Sequence, residues 1–322
     1  MLGMRALPLQ IAAVLLALTT LAAAQDYPNK PVRIVVPFPP GALNDLVGRI
    51  VAAELSERLG KQFIVDNRGG AGGVIGAEIV ANAPKDGYTL LIVSLATAVN
   101  PWLYKLPFEP VKAFAPISLI VTAPNVIAVY PGLPAHSIKE MIALAKAKPG
   151  EVQYGSSGVG TFVHLGGELF KLAAGIDMLH VPFKGTAPAM IDLMAGNTKV
   201  TFGSTTSTMP HLRSGKVRAL GLGGAQRSPA LPDVPTVIEA GLPGYEASNW
   251  IGLVAPAGTP AAVVERLHRE IASIQNSPKV QQQFANEGAD IARMSIAEFG
   301  AFQASELAKW GRVVKEAGIK AQ

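Results

Sequence analysis

Apolar and polar positions follow two different periods along the first part of the chain. The run VRIVVPF, which begins at Val32, is continuous and β-branched and predicts a buried strand. Apolar residues then recur at helical spacing until Gly60, which predicts a helix ending there: Leu46, Val47, Ile50, Val51, Leu55 and Leu59. FIVDN, GAEIVANA and YTLLIVSL continue as strand, helix and strand. This alternation predicts a mostly parallel sheet with helices on both faces.

The same succession returns in the middle of the chain without repeating the sequence. ISLIV and NVIAV predict strands, and Ser137 with Glu140 predicts a capping box that opens a helix running to Lys148. VQYGSSGVG predicts a strand entering a glycine-serine turn, followed by the helix FVHLGGELFKLAAG. MLHVPF, PAMIDLMAG, KVTF and VRALGLGG continue the pattern. Together these segments predict a second α/β lobe.

The last part of the chain is a strand followed by helices. A proline-rich connection leads into SNWIGLVAP, after which only helical patterns occur. Thr259 with Pro260 predicts one helix start, a cap and a first-turn proline, and Ser295 with Glu298 predicts a capping box. Because one strand with helices rarely forms a domain alone, we expect this part to return to the first lobe.

The predicted organisation has two lobes and a leader. Residues 1–24 are the leader, 25–123 and 248–322 form lobe 1, and 124–247 form lobe 2. The chain then crosses between the lobes twice, near Ala123 and near Ser248, in β segments that serve as a hinge.

The leader has the composition of an export signal. Arg5 supplies a basic start, IAAVLLALTTLAAA an apolar core, and Ala22 to Ala24 a small-residue cleavage site. An uncleaved membrane anchor is the alternative, but it needs ~20 apolar residues and this core is shorter. We therefore expect cleavage after Ala24 and a soluble periplasmic protein.

The amino-acid composition excludes several classes of protein and of binding site. Hydrophobic residues make up 49% of the 322 residues and charged residues 16%, which excludes a disordered chain. Cysteine is absent and the five histidines are scattered, so we expect no disulfide and no metal site. The net charge of +5 becomes 27 minus 23, or +4, without Arg5. No dense basic run predicts a nucleic-acid partner, and no cofactor is expected.

Two turns combine a strand end, glycines and a helix start. One runs from Pro39 to Asp45 in lobe 1, and the other from Gly155 to Thr161 in lobe 2. The N–H groups at a helix start and the positive end of the helix dipole can hold an anion without a lysine. Ligands of open α/β sheets lie beyond the carboxyl ends of the strands, where both turns fall. Glycine turns that only reverse the chain are the structural alternative. Their occurrence in both lobes favours a ligand cleft between them.

Other kinds of site fit the sequence less well. The loop NRGGAGGVIG lacks the lysine of a phosphate-binding loop, and TLLIV ends in Ser94 where a dinucleotide fold places an acid. We interpret this loop as one that lets a helix start close to the cleft turn. GSSGVG departs from the hydrolase motif GxSxG, and we interpret His164 as a packing residue of a first helical turn. Asp45 is interpreted as a helix cap or first-turn acid, with ligand contact as the alternative.

The quoted segments resemble the substrate-binding receptors of tripartite tricarboxylate transporters, the Bug family, over nearly the whole chain. The similarity is carried by YPNKPVRIVVPFPPG with Asp45, DNRGGAGGVIGAE, KDGYTLL, YGSSGVGTFVHL, VPFKGTAPA, RSGKVRALGL and LPDVPTVIEAGLPGYEASNWIGLVAPAGTP. The resemblance implies a two-lobed periplasmic binding protein of type II that closes on a small organic carboxylate. It also implies delivery of that carboxylate to the permease subunits of a membrane transporter.

The resemblance also implies which residues bind the carboxylate, mostly through backbone amides and ordered waters. Carried over to this chain, the ligand-binding positions are Phe38, Gly41, Ala42, Ser94, Thr97, Ser156, Ser157, Thr161 and Lys184. Two departures concern the ligand. The family usually has a second glycine at Ala42, where alanine would be strained at positive φ. TFGSTTS lacks an acid that many relatives carry, which disfavours an amino-acid ligand.

We therefore expect a monomeric solute receptor without enzymatic activity. An exported α/β hydrolase and a sensory receptor that reports to a membrane kinase are the alternatives. The sequence does not distinguish a transport receptor from a sensory one.

Overall fold

The computed structural model describes residues 27–320, so the predicted leader and its cleavage site lie outside the described residues. The strands are β1 (Val32–Val36), β2 (Phe63–Asn67), β3 (Thr89–Ser94), β4 (Phe114–Val129), β5 (Gln153–Ser156), β6 (Leu179–Pro182), β7 (Val200–Ser204), β8 (Arg218–Leu222), β9 (Ser248–Pro256) and β10 (Asp290–Ile291). The helices are α1 (Leu43–Leu59), α2 (Val74–Ala81), α3 (Leu95–Leu103), α4 (Ile138–Ala147), α5 (Phe162–Ala174), α6 (Thr186–Ala195), α7 (Thr205–Arg213), α8 (Ala261–Gln275), α9 (Pro278–Asn286) and α10 (Ile296–Glu316). A short 3₁₀ turn, Ala71–Gly73, precedes α2.

The strands form one curled sheet in the order β2-β1-β3-β9-β4-β7-β5-β6, with β8 and β10 also paired to β4. The outer pairs β1–β2, β1–β3, β5–β6 and β5–β7 are parallel. The pairs that involve β9 or β4 are antiparallel. Lobe 1 is hereafter the part built on β1, β2, β3, β9 and β10, and lobe 2 the part built on β5 to β8. The mixed α/β fold confirms the predicted fold class.

The long strand β4 belongs to both lobes. Its residues up to Pro124 pair with β9, and from Asn125 onward they pair with β7. The sequence predicted two strands here, ISLIV and NVIAV, whereas the structure has one continuous strand of 16 residues. Pro124, which cannot donate to a ladder, lies where β4 changes its partner strand, and there a missing donor interrupts the pairing least.

Both faces of the sheet are buried. Along β3, Leu90 and Ile92 pack into the core under α1 and α8, whereas Leu91 and Val93 pack into a second core shared by α3, α5 and α10. Alternate side chains of a strand point to opposite faces, so a sheet covered on both sides needs the continuous apolar run that the sequence contains.

Helix starts test the capping predictions. The capping box at Ser295 and Glu298 is confirmed. Ser137 caps α4 as predicted, but Glu140 accepts the N–H of His136 instead of that of Ser137. The predicted cap at Thr259 is wrong, because its hydroxyl donates to the Pro256 carbonyl at 2.8 Å and Pro260 takes the cap position.

Two helices were not predicted, α3 and α7. Each contains a proline, Pro101 in α3 and Pro210 in α7. Proline is normally a signal that a helix ends, and this hid both helices in the sequence. None of the helices within residues 27–320 is long and apolar enough to span a bilayer.

A network of backbone hydrogen bonds joins the strands where the chain passes between the lobes. The N–H of Asn125 donates to the Ala247 carbonyl at 3.0 Å, that of Gly223 to Asn125 at 2.9 Å, and that of Ala247 to Gly223 at 2.8 Å. The Asn125 side-chain amide donates to the Tyr245 hydroxyl at 2.6 Å, which in turn donates to the Gly166 carbonyl in α5 at 3.3 Å. The crossing region is therefore tied to the helix that begins at the lobe 2 turn.

A second polar network lies below that turn. The rings of His164, in α5, and His180, in β6, are stacked with their centroids 3.9 Å apart, and Tyr154 stacks on His180 at 4.9 Å. The Tyr154 hydroxyl donates to Glu168 at 2.5 Å, and Lys171 donates to the same carboxylate at 3.1 Å. Burial, followed by the charge of Lys171, lowers the pKa of His164 to about 4. Burial, followed by His164, lowers the pKa of His180 to about 4. Both imidazoles are therefore neutral at pH 7.

We expect Gly223→Ala to lower the free energy of unfolding by about 1–3 kcal/mol, because a β-carbon would clash with the Asn125 side-chain oxygen and lie 2.6 Å from the Ala247 carbonyl. Urea denaturation measures the change. Gly300→Ala in α10 is the control, since its β-carbon would meet Pro116 at an ordinary 3.4 Å and alanine favours a helix. Equal midpoints for wild type and Gly223→Ala would contradict the proposed crowding.

We also expect stability to decrease as the pH falls from about 6.5 toward 4. Both histidines have a folded pKa of about 4 and a usual value of 6.5, so in this range the unfolded chain binds more protons. Urea midpoints measured between pH 7.5 and pH 5 test this, and His180→Asn should reduce the slope to roughly half. His136→Gln, a change at an exposed histidine, should leave the slope unchanged. A flat profile in the wild type would show that the buried pair does not resist protonation.

Candidate functional site

The lobe 1 turn connects β1 to α1. Gly41 adopts φ +88, which favours glycine, whereas Ala42 has φ −77 and ψ 160, an extended conformation open to any residue. Ala42 therefore carries none of the strain that a positive φ would cause. Ala42 is the N-cap of α1 and has no side-chain acceptor for the first N–H groups of the helix.

Asp45, the third residue of α1, holds this turn in place. Its carboxylate accepts the N–H of Gly41 at 3.0 Å, Nε of Arg49 at 2.9 Å and Nδ2 of Asn67 at 2.8 Å. Burial alone would raise the pKa of Asp45, but the hydrogen bonds from Arg49, Gly41 and Asn67 outweigh it and hold the pKa below its usual value. The interpretation of Asp45 as a first-turn acid is confirmed. The Gly41 amide already donates to Asp45, and the contact of Gly41 with a ligand stays a prediction.

The glycine-rich loop after β2 packs against the same turn. A β-carbon on Gly76 would lie 2.8 Å from the Arg68 carbonyl and 2.9 Å from the α-carbon of Pro37, and one on Gly73 would lie 3.3 Å from Pro37. These glycines let α2 start close to the turn, as predicted. Their role is close packing of backbone.

The lobe 2 turn connects β5 to α5 and uses its own hydroxyl groups. The Thr161 hydroxyl donates to the Gly158 carbonyl at 2.7 Å, and the fully buried Ser156 hydroxyl lies 3.1 Å from the same carbonyl. The N–H of Gly160 donates to Nδ1 of His164 at 3.0 Å. The hydroxyls of Ser156 and Thr161 thus have partners within the turn, and the contact of either residue with a ligand stays a prediction.

A serine and a histidine meet in lobe 2, but the pair is enclosed. Ser156 Oγ lies 2.6 Å from Nε2 of His180, and Ser156 has no exposed surface. His164 is also buried, as predicted for a packing residue. A nucleophile must reach its substrate, so this arrangement does not support hydrolysis.

A cavity of about 380 Å³ lies between the two lobes. Lobe 1 contributes the segment after β1, the first turn of α1, α3, the start of β9 and the chain after α10, and lobe 2 contributes its turn and the start of α5. The lining residues are Phe38, Asn44, Gly72, Ser94, Leu95, Ala96, Val99, Asn100, Leu103, Tyr104, Val159, Gly160, Thr161, Phe162, Leu165, Asn249 and Lys320. Most of these side chains are apolar. Lys320 is the charged side chain in this lining, and none of the described residues around the cavity is acidic.

The cavity brings together three of the nine predicted ligand-binding residues, Phe38, Ser94 and Thr161. Gly41 and Ala42 line a neighbouring pocket of about 140 Å³ with Thr206 and Glu287. The contact of all nine residues with a ligand stays a prediction.

The other four predicted residues lie outside the cavity lining. The Thr97 hydroxyl accepts the N–H of Ser94 at 3.3 Å and thereby closes the start of α3, a helix that the sequence did not predict. Ser156 is buried, Ser157 is half-buried, and Lys184 is exposed to solvent. The carbonyl of Ser157 accepts the N–H of Gly185 at 3.2 Å, so the segment that carries Lys184 runs beside the turn.

Sequence reasoning missed four polar residues of the cavity: Asn44, Asn100, Asn249 and Lys320. Asn44 follows the predicted turn directly and Asn249 lies on the predicted crossing strand, so both could have been found by their positions. Asn100 lies on α3, which was not predicted, and its Nδ2 donates to the Gly72 carbonyl at 2.9 Å. Lys320 comes from the chain after α10, and no sequence signal places it at the cavity. Within residues 27–320, no group of three acidic or histidine side chains could hold a metal ion.

Comparison with known proteins agrees with this geometry. The family profile described as tripartite tricarboxylate transporter family receptor matches residues 47–319. BugT of Bordetella pertussis is 36% identical over 301 residues, which cover 92% of this chain and 92% of BugT.

Solved structures with the same fold contain small acids. The structure of R. palustris Rpa4515 with adipate is 36% identical, with a TM-score of 0.76, and covers 92% of this chain and all of that one, 100%. MatC (Rpa3494) from Rhodopseudomonas palustris with bound malate is 31% identical, with a TM-score of 0.71, and the match covers 89% of this chain and 100% of MatC.

These relatives are solute-binding proteins and not enzymes, which confirms the expected receptor class and excludes the hydrolase alternative. Together with the two-lobed fold, the match over most of the chain shows that this protein belongs to the tripartite tricarboxylate transporter receptor family, the Bug family of periplasmic solute-binding proteins.

Proposed function

We propose that this receptor captures a small organic carboxylate in the cavity between its lobes and delivers it to the permease subunits of a tripartite transporter. One observation carries the proposal. The starts of two helices, α1 from lobe 1 and α5 from lobe 2, line the same cavity through Asn44, Thr161 and Phe162.

The two helix starts supply the positive potential that an anion needs. The first N–H groups of a helix have no partner within the helix, and they lie at the positive end of its dipole. Neither the Ala42 side chain nor the Thr161 side chain accepts a hydrogen bond from the first N–H groups of its helix. A hydrogen bond to a charged group contributes ~1.5–3 kcal/mol, so four such donors give about 6–12 kcal/mol before ordering costs. Micromolar affinity corresponds to about 8 kcal/mol.

The walls of the cavity favour an acid with an apolar body and no ammonium group. Leucine, valine and phenylalanine side chains dominate the lining, and no carboxylate of a described residue is there to pair with an ammonium group. Adipate in Rpa4515 and malate in MatC are acids without an amino group. This supports mono-, di- or tricarboxylates, aromatic acids included, over amino acids.

We further propose that lobe 1 comprises residues 25–123 and 248–322 and lobe 2 residues 124–247, and that the crossings in β4 and at the start of β9 act as the hinge. The change of ladder partner between Pro124 and Asn125 supports this division. The functional protein is proposed to be a periplasmic monomer that begins after Ala24.

The anion is predicted to be essential for recognition. A thermal-shift screen over adipate, malate, succinate, citrate and benzoate identifies the strongest binder, and calorimetry compares it with the ester of one of its carboxylates. We expect the ester to bind at least ~10-fold more weakly, about 1.4 kcal/mol, because it cannot accept charge-assisted hydrogen bonds there. Equal affinities for acid and ester would contradict the role of the helix starts, and unchanged acid during the assay excludes turnover.

A proline at the first position of α5 is predicted to remove one of these donors. Phe162→Pro is compatible with the fold, because proline is favoured at this helical position and the preceding Thr161 is extended at φ −73 and ψ 161. We expect it to bind the acid about 10-fold more weakly than Phe162→Ala, which loses the ring but keeps the N–H. Isothermal titration of both variants isolates the contribution of the amide. Equal affinities would remove this N–H from the site.

A further inference from the structure

The turn that lobe 2 presents to the cavity is held from below by one buried side chain of α5, His164. Gly160 lines the cavity and adopts φ +76, and its N–H donates to Nδ1 of His164 at 3.0 Å. His164 itself is 6% exposed and does not line the cavity. It can therefore affect a ligand in the cavity only through the turn.

The bond to Gly160 also fixes the protonation of the ring. Since Nδ1 accepts the N–H, the proton of the neutral imidazole is on Nε2, which lies 3.9 Å from Oε1 of Glu168. Burial, followed by the charge of Lys171, lowers the pKa of His164 to about 4, so the ring keeps this form at neutral pH. The ring of His180 is stacked on it and restricts its rotation. The turn thus rests on an acceptor that is fixed in place and uncharged.

The charges beside His164 already balance each other. Lys171 donates to Glu168 at 3.1 Å, and both side chains belong to the same helix as His164. In lobe 1 the corresponding acceptor, Asp45, is negative, but Nε of Arg49 donates to it at 2.9 Å. A carboxylate in place of the imidazole would therefore add a net negative charge below the lobe 2 turn. In an enclosed position such a charge strongly repels an anionic ligand.

We propose that His164 is a positioning residue for the bound acid: as a neutral acceptor for the Gly160 N–H, it holds the lobe 2 turn in its binding conformation without adding negative charge near the anion. The proposal rests on the proposed function. It goes further by assigning a role in the selection of acids to a side chain that the ligand does not touch.

Three substitutions of about equal size separate the acceptor from its charge. His164→Asn keeps a neutral acceptor close to the place of Nδ1, His164→Asp makes that acceptor negative, and His164→Leu removes it. All three remove the ring that stacks on His180, so the differences among them do not come from that lost contact. Isothermal titration at pH 8 with the strongest acid of the screen compares the variants. We expect His164→Asn to bind at least 10-fold more tightly than His164→Leu and than His164→Asp.

His136→Asp is the matched control, because it adds a carboxylate at an exposed histidine of lobe 2 outside the cavity lining, and it should bind like wild type. Circular dichroism and urea midpoints verify that each variant is folded during the titration. Equal affinities of His164→Asn and His164→Leu would overturn the proposal, and so would equal affinities of His164→Asn and His164→Asp.

The wild type offers a test without substitution. Nitrogen NMR shifts of His164 in the complex with the acid should report a neutral ring protonated at Nε2, and a proton on Nδ1 in the complex would overturn the proposal. Failure of the wild type to bind any of the five acids would overturn the proposed function itself, and that result appears before any variant is made.

Discussion

The hydrogen bond from each turn glycine to the third residue of the following helix determines what the cavity offers to a ligand. In lobe 1 the N–H of Gly41 donates to Asp45, and in lobe 2 the N–H of Gly160 donates to His164. The spacing is four residues in both turns. Each bond uses the glycine amide, so the backbone donors that remain at these two turns are the first N–H groups of the helices, whose residues line the cavity. A similar bond joins His136 to Glu140 in α4, but there Ser137 also caps the helix. The starts of α1 and α5 lack that second bond and stay open to an anion.

In each lobe a side chain of the helix accepts the N–H of the turn glycine, but the two acceptors differ in charge. Asp45 is ionised, and its negative charge is offset by Arg49 and by two further hydrogen bonds, from Gly41 and Asn67. His164 is neutral, because burial lowers its pKa to about 4, and Nδ1 can accept a hydrogen bond only when it carries no proton. A neutral acceptor satisfies Gly160 without placing an anion near the helix start. Burial and the charge of Lys171 keep this imidazole neutral, and the His180 ring is stacked on it, so the network below the turn positions the acceptor for Gly160.

Sequence patterns predicted those features that depend only on residues close together in the sequence. FIVDN became β2 at its predicted bounds, and α1 ends at Gly60 with φ +64. Both follow from local steric rules. Patterns failed where tertiary contacts overrule a local signal, as with Pro101 inside α3 and with β4, whose two apolar runs join because β9 and β7 continue one ladder. The site was predicted at the level of its turns but not of its atoms. No pattern reveals that the Gly41 amide is taken by Asp45, because the carboxylate could have faced the cavity instead.

The unpaired hydrogen-bond donors at the starts of α1 and α5 affect the stability of the ligand-free receptor. An enclosed Asn44 amide and two uncapped helix starts destabilise the ligand-free protein relative to one whose donors are all satisfied. Under the proposed function, a carboxylate in the cavity would accept hydrogen bonds from both helix starts, and it would do so only when both lobes reach it at once. Because α1 and α5 belong to different lobes joined through β4 and β9, the contacts proposed to bind the acid would also hold the lobes together. Binding and closure would then be one process, driven by N–H groups that have no partner within their helix, and an analogue that leaves either set of donors unpaired should fail at both.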